Sequence, residues 1–546
     1  MVAYMYDETS SLNKNGCNQE KSADDKLDNN GAASTILGAS SNLVNAIIGA
    51  GIVGIPFAIK EAGLVAGICL ITLCAFLTEK SLRVLIESSK MMSVSSYESV
   101  MEVAFGKVGF LFVLINMFIL AYGALVSYLI VIKDTLPSII GVGDEAYDQP
   151  MRQLVLVVSS LVVVVPLSMQ RDMADLAKTS KLSCVLNFLM VFLVLYLTPE
   201  DNMARNSNDN IDHNESSLLD QLGNLIKTDV IHKQSIFVGL GVLSFAFVCQ
   251  HASFIIADSL HKPTKARWAT VTRISLYVVG FLITIIGVCG YLGYGDETKG
   301  NILNNLDNRA ASNMARACLS TTMFFVYPVE SFVGRHVLAV VLSHSQIAGY
   351  GGGDDHLLVL ECPRRRRNLT LGLYIAAIIP ALVCRDLGKV LSLTGTVGGS
   401  CLSYFGPGMI YLGLHGKRFN ALVTKSFQQY PLLNDLSVEE LKTCSTFRIV
   451  INFVNRFIAC FIYYVCLFPV WCKIAKVGEE RRNEYEKEPE ESLYDEEQYY
   501  VLNQSKCEIL TSSESADNAD VVEFLFAIGF ILFGVIALFA GLYSLC

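Results

Sequence analysis

The chain has 546 residues, 52% of them hydrophobic and 17% charged, with a mean hydropathy of +0.44 and a formal charge of −9. That balance excludes an ordinary soluble domain, and the acidic surplus gives no support to nucleic-acid binding. Sixteen cysteines lie mostly in apolar runs, with no CxxC pair and no Cys/His ligand spacing, so they read as small buried hydrophobes and imply no cofactor.

Residues 1–33 are polar and rich in Asn, Asp, Lys and Ser, which predicts a disordered cytosolic tail rather than a cleavable signal peptide. A membrane-spanning helix needs about 20 residues. Apolar runs of that order follow near 36–60, 62–88, 108–133, 151–169, 179–198, 234–260, 269–294, 311–343, 368–385 and 389–413, and one more near 521–545. The reading is a membrane core over 34–416 with ten spans, a cytosolic insertion over 417–520, and a final span over 521–546, giving about 11 spans. Within the insertion, 446–474 is apolar but carries Arg448, Asn452, Asn455 and Arg456 and ends in Trp471 and Lys473. It reads as an amphipathic helix lying in the interface, with a twelfth crossing as the alternative.

Lys and Arg placement sets the orientation. Arg364 to Arg367 put the loop before the ninth span in the cytosol, and by parity Lys80, Arg83 and Lys90, Arg171, Lys178 and Lys181, and Lys262, Lys265 and Arg267 fall on the same side. The N-terminus is then cytosolic and the 199–233 loop faces the outside or an organelle lumen, where Asn214-Glu-Ser216 is a glycosylation candidate. Asn503-Gln-Ser505 is cytosolic with eleven spans and lumenal with twelve. The four arginines also suit anionic lipid headgroups.

The first span holds Asn45-Ala-Ile-Ile-Gly49-Ala-Gly51-Ile-Val-Gly54-Ile-Pro56. Three glycines lower helix propensity, and Pro56 cannot donate a backbone hydrogen bond. Freed backbone groups in hydrocarbon cost several kcal/mol each unless something satisfies them, so a helix broken there reads as a binding site. Two five-span halves separated by the 199–233 loop would insert with opposite topology, as an inverted repeat requires, so the sixth span should echo the first. It does in part: Gly239 and Gly241 are followed by Ser244-Phe-Ala-Phe-Val-Cys249-Gln-His251, though close helix packing explains glycines equally well.

The string Ser41-Asn-Leu-Val-Asn45-Ala-Ile-Ile-Gly49-Ala-Gly51-Ile-Val-Gly54-Ile-Pro56-Phe-Ala resembles the first helix of the amino acid/auxin permease family, closest to its sodium-coupled neutral amino acid transporters. Ser244-Phe-Ala-Phe-Val-Cys, Ser253-Phe, Ser259-Leu, Pro263 and Trp268 resemble that family's sixth helix and the loop after it. The resemblance covers about 36–413 and the final span. It implies an all-α, LeuT-like 5+5 fold with discontinuous first and sixth helices, a central amino acid site and alternating access. Gln250 departs from the pattern, since close members often carry a paired His after the Cys, and the insertion has no counterpart.

A zwitterionic amino acid suits such a break. Amides around Ile48, Gly49, Ala50, Gly51 and Gly54 could hold its carboxylate, and carbonyls of Ser244, Phe245, Ala246 and Phe247 could face it, with Phe245 or Phe247 shaping the pocket. For the coupling ion, Asn45 and Ser320-Thr321-Thr322 offer the hard oxygens that Na+ prefers, and the resemblance implies that Asn45 and Thr321 help bind it. Back-bonding to the helix is the other reading of those hydroxyls. The coupling ion is Na+ or H+. His251 and Glu330 are ionisable residues within spans. Counting along the eighth span puts Glu330, with Arg335, near its cytosolic end, and His251 reads as a hydrogen-bonded structural residue.

The function expected is secondary active transport of amino acids, neutral ones by resemblance, across a plasma or vacuolar/lysosomal membrane. The rival is an amino acid sensor of the same fold that binds and signals with little flux. An enzyme would need paired carboxylates, HExxH or a nucleophile constellation, and a channel would need a filter or charged ring; the sequence shows none of these. Amino acid and membrane lipid are the partners implied, and oligomeric state is open.

Overall fold

The structure, a computed structural model, describes residues 35–141, 149–169, 182–198, 235–261, 264–346, 363–415 and 518–545. Asn214, Asn503, the 446–474 segment, the N-terminal tail and most of the insertion lie outside them. Among the described residues every regular element is helical.

The first span runs as Ile36–Ile47, a tight 3₁₀ turn Ala50–Gly54 and a helix Ile55–Ala62, bent by 50°. The second is Leu64–Met92, the third Tyr97–Ile140 and the fourth Gln149–Ser168. The fifth is the shorter Leu182–Thr198, and the sixth runs Ile236–Phe247 and then Gln250–Asp258. The seventh is Lys265–Tyr294, the eighth Ala310–Gln346 and the ninth Pro363–Val383. The tenth begins with Leu387–Thr394, passes through π-helical turns at Gly395–Gly399 and Cys401–Phe405, and ends with Gly406–Leu414. The final span is Asn518–Leu545.

Eight of these are long and apolar enough to cross a bilayer as they stand, and the bent first span makes nine; the fifth is an apolar helix below that length, and the π turns divide the tenth. The fold is that of an all-helical polytopic membrane protein whose first and sixth spans are discontinuous.

Local chemistry accounts for the boundaries. Thr35 caps the first helix by accepting from the Gly38 amide at 3.1 Å, and Asp386 caps the tenth by accepting from Lys389. Gly106, at φ +64°, interrupts the third span, a conformation that side chains bearing a Cβ rarely adopt. Two helices, 97–105 and 107–140, thus meet at Gly106, and the second begins where the apolar run near 108 implies.

The chain divides into two units. One comprises 1–97, 112–407 and 530–546 and contains both broken spans. The other comprises 98–111 and 408–529, in which Tyr411 stacks on His415 at 4.5 Å and meets Phe524 edge-on at 5.4 Å.

The sixth span is the centre of the first unit: 83% of its apolar window is buried, against 33–56% for the other spans tested in this way. Small residues allow that burial. A Cβ on Gly239 would sit 2.6 Å from the Ala58 carbonyl, one on Gly241 2.6 Å from the Ser392 carbonyl, and one on Gly395 would collide with the Gly241 carbonyl. Close packing is thus the role of Gly239 and Gly241.

Candidate functional site

The first span unwinds over Ile48 and Gly49, where Ile48 has φ −78° and ψ 78° and Gly49 φ −108° and ψ −149°. Asn187 of the fifth span donates from its side-chain amide to the Ile48 carbonyl at 3.1 Å. The sixth span unwinds at Val248, which is extended, and Cys249. Gln250 holds that break: its Oε1 accepts from the Cys249 amide and the Ser403 hydroxyl, each at 3.0 Å, and its Nε2 donates to Ser81 Oγ at 3.3 Å. Gln250 is fully buried. In place of a second histidine, the chain has an amide whose donor and acceptor tie the break to the second and tenth spans.

The two breaks meet. A Cβ on Gly51 would lie 2.8 Å from both Cα and Cβ of Ala246. Around that contact is a cavity of about 30 Å³, lined by Gly49, Gly51, Phe245, Ala246, Tyr128 and the His251–Glu330 pair among others.

Of the residues expected from sequence to hold substrate, Gly49, Gly51, Phe245 and Ala246 line this cavity, and Ile48, Ala50, Gly54, Ser244 and Phe247 do not. Ile48 presents its carbonyl to Asn187. Gly54 packs on Leu391 and Val242, where its missing Cβ would lie 2.7 and 3.3 Å away. Ser244 and Phe247 are both 0% exposed. Between the two phenylalanines, Phe245 is the one at the cavity wall.

Sequence reasoning missed the rest of the lining. Leu120, Ala124 and Tyr128 come from the third span, and Glu330 from the eighth. The Glu330 expectation is corrected: its side chain lines the interior cavity beside the two broken spans rather than marking the cytosolic end of the helix. Its Oε1 lies 3.4 Å from His251 Nε2, with each side chain 13% exposed. Arg335 is also interior, donating to the Ser168 carbonyl at 3.0 Å and to Thr370 Oγ1 at 2.9 Å.

The Ser320–Thr322 triplet lies apart from the lining of this cavity. Ser320 Oγ bonds Thr135 Oγ1 of the third span at 2.6 Å and the Arg316 carbonyl at 2.9 Å, and Thr322 bonds back to Cys318 at 2.9 Å. Asn45 sits one residue before the lining residue Ala46.

A wider cavity of about 330 Å³ lies where the first, seventh and ninth spans end, lined by Lys60, Asp134, Glu297, Lys299, Arg385 and Asp386 among others. Asp134 Oδ2 accepts from Asn304 at 3.0 Å and Asn301 at 3.4 Å, and Lys60 donates to the Thr298 carbonyl at 3.4 Å. Its mouth thus carries both signs of charge.

Comparison with known proteins gives this architecture a family. Residues 32–433 match the family described as "Transmembrane amino acid transporter protein". A Bos taurus protein named "Putative sodium-coupled neutral amino acid transporter 11" is 31% identical over 381 residues, 68% of this chain and 75% of its own length. "Vacuolar amino acid transporter 2" of Saccharomyces cerevisiae is 28% identical over 402 residues, 72% of this chain and 79% of its own. Among solved structures, a mutant of the Eremococcus coleocola manganese transporter aligns over 93% of this chain and 94% of its own, with TM-score 0.37 and 11% identity. The match over most of the described membrane core makes the chain a member of the transmembrane amino acid transporter family, a family of transporters and not of enzymes.

Proposed function

We propose that the protein is a secondary active transporter that moves neutral amino acids by alternating access, driven by a sodium or proton gradient. The observation that carries this reading is the meeting of two broken spans, Gly51 against Ala246, at one interior cavity. Gly51 lies at the start of the tight turn of the first span and lines the cavity, where amides lacking partners one turn back suit a carboxylate. Phe245 faces the same space with an apolar ring, suited to an uncharged side chain. A cavity of about 30 Å³ holds little more than a water molecule. The bundle has to open to admit an amino acid, which is the motion alternating access supplies. The wider cavity, with both signs of charge at its mouth, suits the approach of a zwitterion.

Asn45 with Ser320, Thr321 and Thr322 is the oxygen-rich set proposed for Na+; the sodium coupling in the bovine relative's name supports that choice of ion. The transport core is 34–416 with a cytosolic N-terminus, the 417–520 insertion is cytosolic, and Asn214 faces the outside or an organelle lumen. The membrane is the plasma membrane or that of a vacuole or lysosome, the latter supported by the yeast relative's name.

The test is uptake of a labelled amino acid mixture into proteoliposomes, with sodium and proton gradients imposed separately. Accumulation above equilibrium under either gradient is the expected result. Saturable binding with no accumulation under both would replace the transporter by a sensor of the same fold.

A further inference from the structure

The cavity between the breaks has one feature that amino acid binding alone leaves unexplained: an acid and a base facing each other. His251 follows the break of the sixth span directly, and Glu330 projects from the eighth. Nε2 of the first is 3.4 Å from Oε1 of the second, and both line the cavity. Tyr128 of the third span is the other titratable group in that lining, and the first span contributes none. Charges on the second span are engaged elsewhere: Glu79 with Arg83 and Arg273, and Lys80 over the Phe76 ring. Arg335, further along the eighth span, is bonded to Ser168 and Thr370.

The pairing determines which histidine nitrogen is open. A carboxylate accepts only from an N–H, so the neutral imidazole places its hydrogen on Nε2 and its lone pair on Nδ1. Nδ1 is buried and, among the described residues, accepts no hydrogen bond. A proton added there makes both ring nitrogens donors and turns the pair from net −1 to net zero, with the Glu330 carboxylate at 3.4 Å as the balancing charge.

We propose that His251 and Glu330 form the proton-binding element of the transporter, with the proton taken up on His251 Nδ1 and Glu330 as its counter-ion. This rests on the amino acid transport reading above. The step is a simple protonation: H+ from solution joins the Nδ1 lone pair, imidazole becomes imidazolium, and no other bond changes. Its link to the substrate is electrostatic. The unprotonated pair places a net negative charge in the cavity that is to receive the amino acid carboxylate, and protonation cancels it. Proton and amino acid therefore favour each other's binding, and by linkage the effect is reciprocal. The bridge is also mechanical, since the imidazolium holds the helix after the break of the sixth span to the eighth.

The experiment measures protons and labelled amino acid entering the same proteoliposomes, using a trapped pH dye, for the wild type, His251→Gln and Glu330→Gln. The wild type is expected to carry about one proton per amino acid, and the variants less than about a tenth of that at whatever rate they retain. A parallel measurement of equilibrium binding in detergent needs no transport. Wild-type affinity should fall about tenfold between its low-pH and high-pH plateaus, and His251→Gln should be flat. Glu330→Asp keeps the carboxylate and should restore proton movement in part. Wild-type uptake without accompanying protons, or variants that keep both the wild-type proton ratio and the pH-dependent affinity, would overturn the proposal and leave amino acid transport standing. A wild type that binds amino acids but carries none under any gradient would overturn the transport reading itself.

Discussion

Asn187 in the fifth span and Ile48 in the first are joined by a 3.1 Å hydrogen bond from side-chain amide to backbone carbonyl. Both residues are buried, and Ile48 marks the point where its helix ends. The bond satisfies a carbonyl that the broken helix leaves open. Asn187→Leu should cost about 1–3 kcal/mol. It should show as a lower melting temperature in detergent and a loss of most amino acid uptake. A variant matching wild type on both counts would show that the bond supports nothing.

Gly51 is the close approach between the two breaks. Its missing Cβ would meet the Ala246 backbone at 2.8 Å, and backbone atoms cannot rotate away as a flexible side-chain end can. Gly51→Leu should abolish uptake while leaving membrane expression near wild type. Gly51→Ala should be milder, and adding Ala246→Gly should recover part of its loss, since one of the two contacted atoms is then gone. Wild-type rates in Gly51→Leu would remove the first span's break from the site.

The two phenylalanines of the sixth span should separate by phenotype. Phe245 lines the cavity and Phe247 is fully buried away from it. Phe245→Leu should change which unlabelled amino acids compete for uptake, with little effect on melting temperature. Phe247→Ala should destabilise by about 3–5 kcal/mol, the usual cost of emptying a buried ring site, and leave the order of competitors as it was. Competition profiles and thermal melts together decide it, and the reverse pattern would exchange their roles.

Gln250→Leu removes the acceptor for the Cys249 amide and for Ser403 and the donor to Ser81. Leaving the buried amide unpaired should cost about 1–3 kcal/mol. Gln250→Glu retains the acceptor oxygen and should be the milder change at a pH where the carboxyl is protonated. Thermal melts of the two variants across pH test the assignment; equal stability at every pH would refute it.

The positions of the spans were legible because crossing a bilayer imposes length and hydropathy together, and the apolar run at 269–294, for example, falls inside the helix Lys265–Tyr294. The first break was legible because Gly49, Gly51, Gly54 and Pro56 each act on their own stretch of backbone. Tyr128 and Glu330 were not. Neither has a helix break beside it to mark it, and no local pattern tells which face of a helix surrounded by apolar neighbours turns inward. Counting residues from the start of an apolar run also misplaced Glu330, because distance along a helix does not tell that its side chain turns into the interior cavity. Gly54 misled in the opposite way: within the same glycine-rich string, it serves contact with Leu391 and Val242 rather than the cavity.

One residue separates the first span from the second: Gly63, at φ +88°, stands between Ala62 and Leu64 with both neighbours already helical. A linker that short has no slack, so the outer part of the first span cannot shift without carrying the second span with it. At its other end the same span has Ile48 and Gly49 as an unwound joint within the membrane. The span is leashed at one side and jointed at the other, and its segment Ile36–Ile47 is held to the seventh span, where Ser275 Oγ donates to the Ser40 carbonyl at 3.1 Å. A displacement of Ile36–Ile47 thus leaves the tether to the second span untouched, whereas a displacement of Ile55–Ala62 has to move a pair.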